Sequence, residues 1–442
     1  MTGGAWLATW LLLPLVGAPL LSHGAYRRFS FVGRAILSGA AGLVALSFVQ
    51  TAASLAGWRW RLLPLAILSA AGCWALRLAA GGPPPGGPLR LAGGDPGRRA
   101  ASLLSAMAVG VALVATLAGA AGSPDLLLFW GPKAEAFAAA RTIDAGFLAD
   151  SRTVLMHPYY PPLVTNLYAF SSMAAGAFSW RAAALTFPIL LGALALALPS
   201  VLRVAERPLA PSAVAASAVA ALGLLGAEAD IAGNADMMLL AFEALGAALL
   251  LAPRPIDRST RLLAGILLAG AASAKVEGLP FALVAILFLL VQERRLARLP
   301  ERLALLVGPT ALSLGVWLAF GLGRHAFSRY GEYGSLLDLR PDRMGLVLTA
   351  IGRTVWRRGF ALPYLVPLAL VLSSRQSPRP LPIAVAAALT LFLTTTYLLP
   401  VARPALWIEW SASRTFSPLI VLLSLSVRGP RARYAEAAGP PS

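Results

Sequence analysis

The chain has 442 residues, 58% of them hydrophobic and 13% charged, with a formal net charge of +18 and a mean hydropathy of +0.73. A soluble protein carries about 25% charged residues, and no polar block here is long enough to enclose a core of its own, so a soluble enzyme is excluded and a polytopic membrane protein is indicated. The positive charge does not mark a nucleic-acid binder: the arginines gather in short stretches between apolar runs, where the positive-inside bias puts them, and anionic lipid headgroups are natural partners for any surplus.

In chain order, apolar runs long enough to approach a membrane crossing of about 20 residues are expected at 4–22, 35–56, 62–80, 101–121, 182–201, 212–228, 237–252, 262–275, 279–292, 302–320, 360–373, 381–400 and 415–427. The first lacks a basic start and a small-residue cleavage site, so it reads as a span rather than a signal peptide. The lone cysteine, Cys73, excludes an intramolecular disulfide. The Gly/Pro-rich stretch 81–100 reads as a linker. Segment 163–178 is apolar but short, and either crosses or lies along the surface. These runs predict an all-α polytopic bundle of about 12–14 spans. It divides into 1–100 (N-terminal helices and linker), 101–320 (a core with the polar loop 122–162) and 321–442 (an outer loop, further helices and a basic tail).

Basic clusters at Arg27, Arg28 and Arg34, at Arg90, Arg98 and Arg99, at Arg254, Arg258 and Arg261, at Arg294, Arg295, Arg298 and Arg302, at Arg375 and Arg379, and at Arg428, Arg431 and Arg433 define the cytoplasmic side. The polar island 122–162 then faces outward, with 275–278, 321–359 and 401–414. The parity between 163 and 211 closes only if 163–178 does not cross.

The chemistry-bearing residues sit in that outward set. Asp125 follows the fourth span, where a carboxylate can act as a general base or hold a metal. Trp130 is either an interfacial anchor or part of a pocket. Of 37 basic residues only Lys133 and Lys275 are lysines. A genome rich in Arg codons explains the arginines but not the two survivors, and a compact ammonium suits a tight site that a planar guanidinium does not. His157 and Tyr160 lie in the run His157-Pro158-Tyr159-Tyr160-Pro161-Pro162-Leu163, stiffened by its prolines. Glu228, Asp230, Asn234, Asp236 and Glu277 mark span ends, where carboxylates line a cavity or an ion path; Glu243 lies inside a span on the helical face of Asp236 and is expected to pair within the bundle. Arg324, His325, Arg329, Tyr330, Tyr333, Arg340, Arg343, Arg353, Trp356, Arg357 and Arg358, with Arg403, Trp407, Glu409, Trp410 and Arg414, run against the positive-inside trend and suit an anionic group. Three histidines without paired spacing offer no metal site, and no nucleotide-phosphate loop or hydrolase signature is present.

On Asp125 after a span, the proline-rich run 157–163, the stretch 265–278 (GILLAGAASAKVEG) ending near Lys275, and Ser411-Ala412-Ser413-Arg414 with Pro418, the chain resembles the GT-C superfamily of integral membrane glycosyltransferases, which includes protein O-mannosyltransferases and lipid A aminoarabinose transferases. The resemblance covers about residues 101 to 427. It departs from the family in placing three further spans before the catalytic loop and in reducing the paired acidic motif to Asp125, with Glu135 and Asp150 as substitutes. It implies a bacterial plasma-membrane enzyme that moves a sugar from a polyprenyl-phosphate donor to a glycan, lipid or protein acceptor on the outer face. Asp125 would be general base, Lys133, Lys275 and Arg414 phosphate ligands, and Trp130, His157, Tyr160 and Glu277 the substrate pocket. No cofactor is fixed by it; a divalent metal, Mg or Mn, at Asp125 is an option it leaves open. The alternatives are a transporter or lipid flippase, with Asp230, Asp236 and Glu277 along a polar path, and a scaffold subunit without chemistry.

Overall fold

A computed structural model describes residues 2–21, 26, 28–80, 98–119, 123–150, 157, 159–203, 211–228, 231–252, 256–293, 299–327, 338–357, 361–373, 378–400 and 403–427. Among the described residues every regular element is a helix. The first four are α1 (Thr2–Leu21), α2 (Phe31–Leu55), α3 (Leu62–Ala80) and α4 (Arg98–Ala118). The polar island folds into α5 (Gly131–Ala140) and α6 (Ala145–Ala149). There follow α7 (Leu163–Ala175), α8 (Trp180–Ala184), α9 (Thr186–Leu202), α10 (Pro211–Glu228), α11 (Asp236–Leu249), α12 (Arg258–Ala274), α13 (Gly278–Glu293) and α14 (Leu299–Gly323). The last five are α15 (Met344–Arg357), α16 (Ala361–Ser373), α17 (Pro380–Thr396), α18 (Pro404–Thr415) and α19 (Pro418–Ser426).

Among the described residues five helical stretches are long and apolar enough to cross a membrane, 3–21, 31–55, 98–118, 180–202 and 299–323, and five shorter apolar helices accompany them. The exterior is as apolar as the interior. Leu63, Ile67 and Leu78 on α3, Leu103, Val111 and Leu117 on α4, and Leu312 and Leu322 on α14 are exposed, an arrangement that water penalises and lipid does not. The centre is α11 and α12, and every residue of α11 is buried. Helices approach closely where small residues allow it: a Cβ on Gly42 would stand 2.2 Å from the Leu13 carbonyl of α1, the small-residue contact that association in lipid favours.

The helices run up and down between two ends. At one, Trp60 N–H donates to Arg141 O at 2.6 Å and Arg340 N–H to Leu398 O at 2.9 Å; Ile143 N–H donates to Ser54 Oγ at 3.0 Å and Arg324 to Leu55 O at 3.1 Å. At the other, Tyr26 OH donates to Ser259 O at 2.8 Å, Ser30 N–H to Ser200 Oγ at 2.8 Å and Arg28 pairs with Asp257 at 2.9 Å. There Arg261, expected in a solvated basic loop, is buried in the first turn of α12 and grips Glu293 with two bonds, at 2.6 and 3.1 Å. Neutralisation by a partner is what lets a guanidinium stay inside.

Segment 163–178 folds as the 13-residue α7, about 20 Å long. Asn166 near its start bonds Ser47 and Thr51 of α2, and the stretch after its last turn lies beside Trp60, Arg61 and Arg141. It therefore climbs to the end of the bundle that holds the polar island, and α9 leaves from that same end.

Candidate functional site

The site is assembled from four chain-distant segments at the island's end of the bundle. Ser123 ties the end of the linker after α4 to the segment before α11, its N–H donating to Ala232 O at 3.0 Å. The chain then makes a π-helical turn, Leu126–Trp130, continuous with α5. The wider π turn is a device often found at functional positions. Asp125 precedes it, and Trp130 and Lys133 follow buried, at 2% exposure each. Trp130 is thus part of the interior, not an interfacial anchor.

Asn234 Oδ1 accepts the Asp236 N–H at 3.0 Å, which fixes Asp236 at the first position of α11, where the helix dipole favours an anion. Lys275 ends α12 in extended conformation, at a helix C-terminus that favours a cation. A Cβ on Gly278 would fall 2.0 Å from Ala271 O, so glycine there lets the chain turn tightly from α12 into α13 and hold Lys275 in place. On the far side, Tyr364 OH donates to Ser413 O at 3.0 Å and Tyr397 OH bonds Ser411 Oγ at 2.8 Å. These two bonds set the face of α18 that carries Arg414.

The charged groups form a ladder. Asp125 meets Arg414 at 2.5 Å, and Arg414 reaches Asp236 at 3.8 Å. Asp236 meets Lys275 at 2.8 Å, and Lys275 reaches Glu277 at 3.2 Å. Acid and base alternate along it, which keeps charge in a buried place tolerable. Lys133 stands apart. Its ammonium lies 4.5 Å from the centre of the Trp130 ring, and its one hydrogen bond, to His157 O, is long at 3.4 Å. No acidic partner reaches it among the described residues. Burial pushes Lys133 down to about 7.

His157 stacks on Tyr160 at 4.8 Å and meets Phe129 at 4.9 Å; Trp130 and Tyr160 are 5.9 Å apart. His157 holds a left-handed backbone, φ 45°, unusual for a residue with a Cβ. Burial, then the nearby Lys133 and Lys275, lower it to about 3, so its ring is neutral at ordinary pH. Trp317 Nε1 donates to Tyr159 O at 3.2 Å and pins this run against α14.

All eight sequence-derived site residues, Asp125, Trp130, Lys133, His157, Tyr160, Lys275, Glu277 and Arg414, are thus brought to one place. Asp236 joins them. The sequence marked it only as a span-end carboxylate, and the signal that could have promoted it is Asn234 two residues ahead, a capping side chain. Glu135 lines a different cavity, whereas Asp236 stands across Arg414 from Asp125. Of the other outward arginines, Arg340 pairs with Asp342 at the surface and Arg324 serves the α2 terminus. Asp230, Arg329, Tyr330, Tyr333 and Arg358 lie outside the described residues. The carboxylates face cations rather than a shared centre, and no group of three metal-ligating side chains gathers among the described residues; this donor set does not fit the Mg or Mn ion that the resemblance left open.

Lys133 leads to a pH-dependent outcome. Its folded value is depressed from 10.5 to about 7, so the unfolded chain binds the extra proton between about 7 and 10.5, and stability rises with pH over that window. Lys133→Met is expected to raise the unfolding midpoint below pH 7, with the gain shrinking as pH climbs toward 10. Parallel melting curves of the two proteins across that range would contradict this.

Compared with known proteins, the chain matches no protein-family model, no curated protein and no solved structure.

Proposed function

We propose that the protein is a multi-span membrane glycosyltransferase that takes a sugar from a polyprenyl-phosphate donor. In this reading the site end of the bundle faces outward, thirteen helical passages cross the membrane, and the protein resides in a bacterial plasma membrane. The observation that carries it is Lys133, a buried ammonium with no anion beside it among the described residues, next to a ladder whose other cations are already paired. Keeping such a charge unpaired is unfavourable, and a donor phosphate would satisfy it.

The steps follow from the ladder. A phosphate arriving at Lys133 competes with Asp125 for the guanidinium of Arg414, which prefers oxyanions held by two bonds. Asp125 is released toward the acceptor hydroxyl and takes its proton as the hydroxyl oxygen bonds the anomeric carbon. The carbon–oxygen bond to phosphate breaks, and its electron pair stays on the phosphate oxygen, where Arg414, Lys133 and Lys275 stabilise the charge. His157, Tyr160 and Trp130 give an aromatic wall against which a sugar face can lie. The test is transfer of label from a polyprenyl-phosphate sugar to membrane-derived acceptors by purified protein in detergent. Asp125→Asn should lose transfer by at least about 10²-fold with an unchanged melting midpoint; near-normal transfer would sink the assignment.

A second reading, a transporter or flippase, is favoured by Glu243. It is 1% exposed, and neither carboxyl oxygen finds a hydrogen-bond partner among the described residues. It lies two turns below Asp236 on α11, about 10 Å deeper. Flux through reconstituted protein with no transfer, lost in Glu243→Gln, would favour that reading over the enzyme.

A further inference from the structure

On the other side of α5 from Lys133 lies a cavity of ≈ 800 Å³, bordered by Trp60, Arg61, Glu135, Arg141, Met173 and Phe178. Its volume is that of a small-molecule site. Lys133 and Glu135 are two residues apart, so they leave the helix in nearly opposite directions. Lys133 is buried toward the charge ladder and Glu135 is exposed to the cavity. Helix α5 is thus a partition, and the cavity is a separate place from the site described above.

The two arginines of this cavity are brought together by the fold. Arg141 ends α5, and its carbonyl accepts the Trp60 N–H at 2.6 Å, which sets the residue after Trp60, Arg61, beside it. No carboxylate pairs with either guanidinium among the described residues. Arg141 also sits in the left-handed region, φ 53° and ψ 40°. Helices commonly end in this conformation, and the residue that adopts it without strain is glycine. An arginine in that conformation is uncommon, which singles this position out. Two exposed guanidiniums with no carboxylate partner among the described residues, one carboxylate able to accept from a hydroxyl or amine, and an apolar wall at Met173 and Phe178 describe the ligand.

We infer that this cavity binds a phosphate ester on a small hydroxylated body, of the glycerol-phosphate kind, with Arg61 and Arg141 on the phosphate and Glu135 on the body. The inference stands whether or not the charge ladder transfers sugars. The ligand's chemistry has two sources, a soluble phosphate ester or the headgroup of an anionic lipid.

Full-length protein in neutral detergent is titrated with sn-glycerol 3-phosphate, read by its melting midpoint. The same protein is then compared in nanodiscs of phosphatidylglycerol and of phosphatidylcholine. The decisive variant is Arg141→Gly, which supplies the residue the backbone prefers and so keeps the fold. Arg61→Gln is the second, in case the first changes α5, and Lys133→Met reports on the other side of the partition. The expected result is a midpoint rise in wild-type protein and in Lys133→Met. In each arginine variant, affinity should fall roughly tenfold or more, as the loss of one charge-assisted contact predicts. A rise seen with the soluble ester assigns a soluble ligand; one seen only in phosphatidylglycerol nanodiscs assigns a lipid headgroup. The proposal is overturned if neither probe shifts the midpoint, or if the shift survives both arginine substitutions. It is overturned equally if the shift is lost only in Lys133→Met, which places the anion in the charge ladder.

Discussion

Lys275→Met is expected to destabilise the protein by about 3–5 kcal/mol, because it strips a buried carboxylate of its nearer charge partner and leaves only Arg414 at 3.8 Å. Asp236 is 3% exposed and Lys275 8%, and the 2.8 Å contact between them joins α11 to α12 at the centre of the bundle. The uncompensated charge that remains on Asp236, rather than the missing attraction, supplies most of the penalty. The double variant Lys275→Met, Asp236→Asn should therefore recover most of the loss, since a neutral amide can sit where the carboxylate cannot. Denaturant or thermal unfolding of the three variants in one detergent measures it. A single variant as stable as wild type, or a double variant no better than the single, contradicts the ladder. The chain's two lysines thus separate: removing Lys275 weakens the fold, whereas removing Lys133 strengthens it below pH 7.

Arg414→Leu is expected to have the largest effect on activity, with sugar transfer reduced by about 10²–10³-fold or more, the range seen when one preorganised charge-stabilising donor is removed. Among the described residues Arg414 is the one cation that touches two carboxylates from two other segments, Asp125 at 2.5 Å and Asp236 at 3.8 Å. In the proposed reaction it also passes from Asp125 to the donor phosphate. Arg414→Lys should restore part of the stability but little of the transfer, because an ammonium cannot offer two parallel bonds to phosphate. Transfer rates with saturating and limiting donor separate the two roles: loss of donor binding raises KM, and loss of stabilisation at the departing phosphate lowers kcat. Full transfer by Arg414→Lys would remove the bidentate role.

Much of the site was legible because membrane proteins spend charge sparingly. Asp125, Lys133, Lys275, Glu277 and Arg414 stand out against long apolar runs, and the basic clusters sort them to one side. Asp236 shows the limit. Alone it is one more carboxylate at a helix end; its place in the ladder depends on Lys275, 39 residues away, and Arg414, 178 away. Likewise Arg261 read as part of a basic cluster, and only its meeting with Glu293 at 2.6 Å explains why both can be buried. Glu135 looked like a substitute partner for Asp125 by nearness in sequence, and helical periodicity turns it to the other side of α5.

The sequence by itself determined the helical, lipid-compatible character of this protein and the set of polar groups held at one end, because hydropathy and loop charge act over stretches of consecutive residues. Tertiary structure decided which acid meets which base, that α7 climbs back to the site's end of the bundle, and that α5 separates a charge ladder from a second cavity. Those depend on contacts at a few ångströms between segments tens to hundreds of residues apart, where Coulomb attraction and side-chain geometry select partners that linear order does not encode.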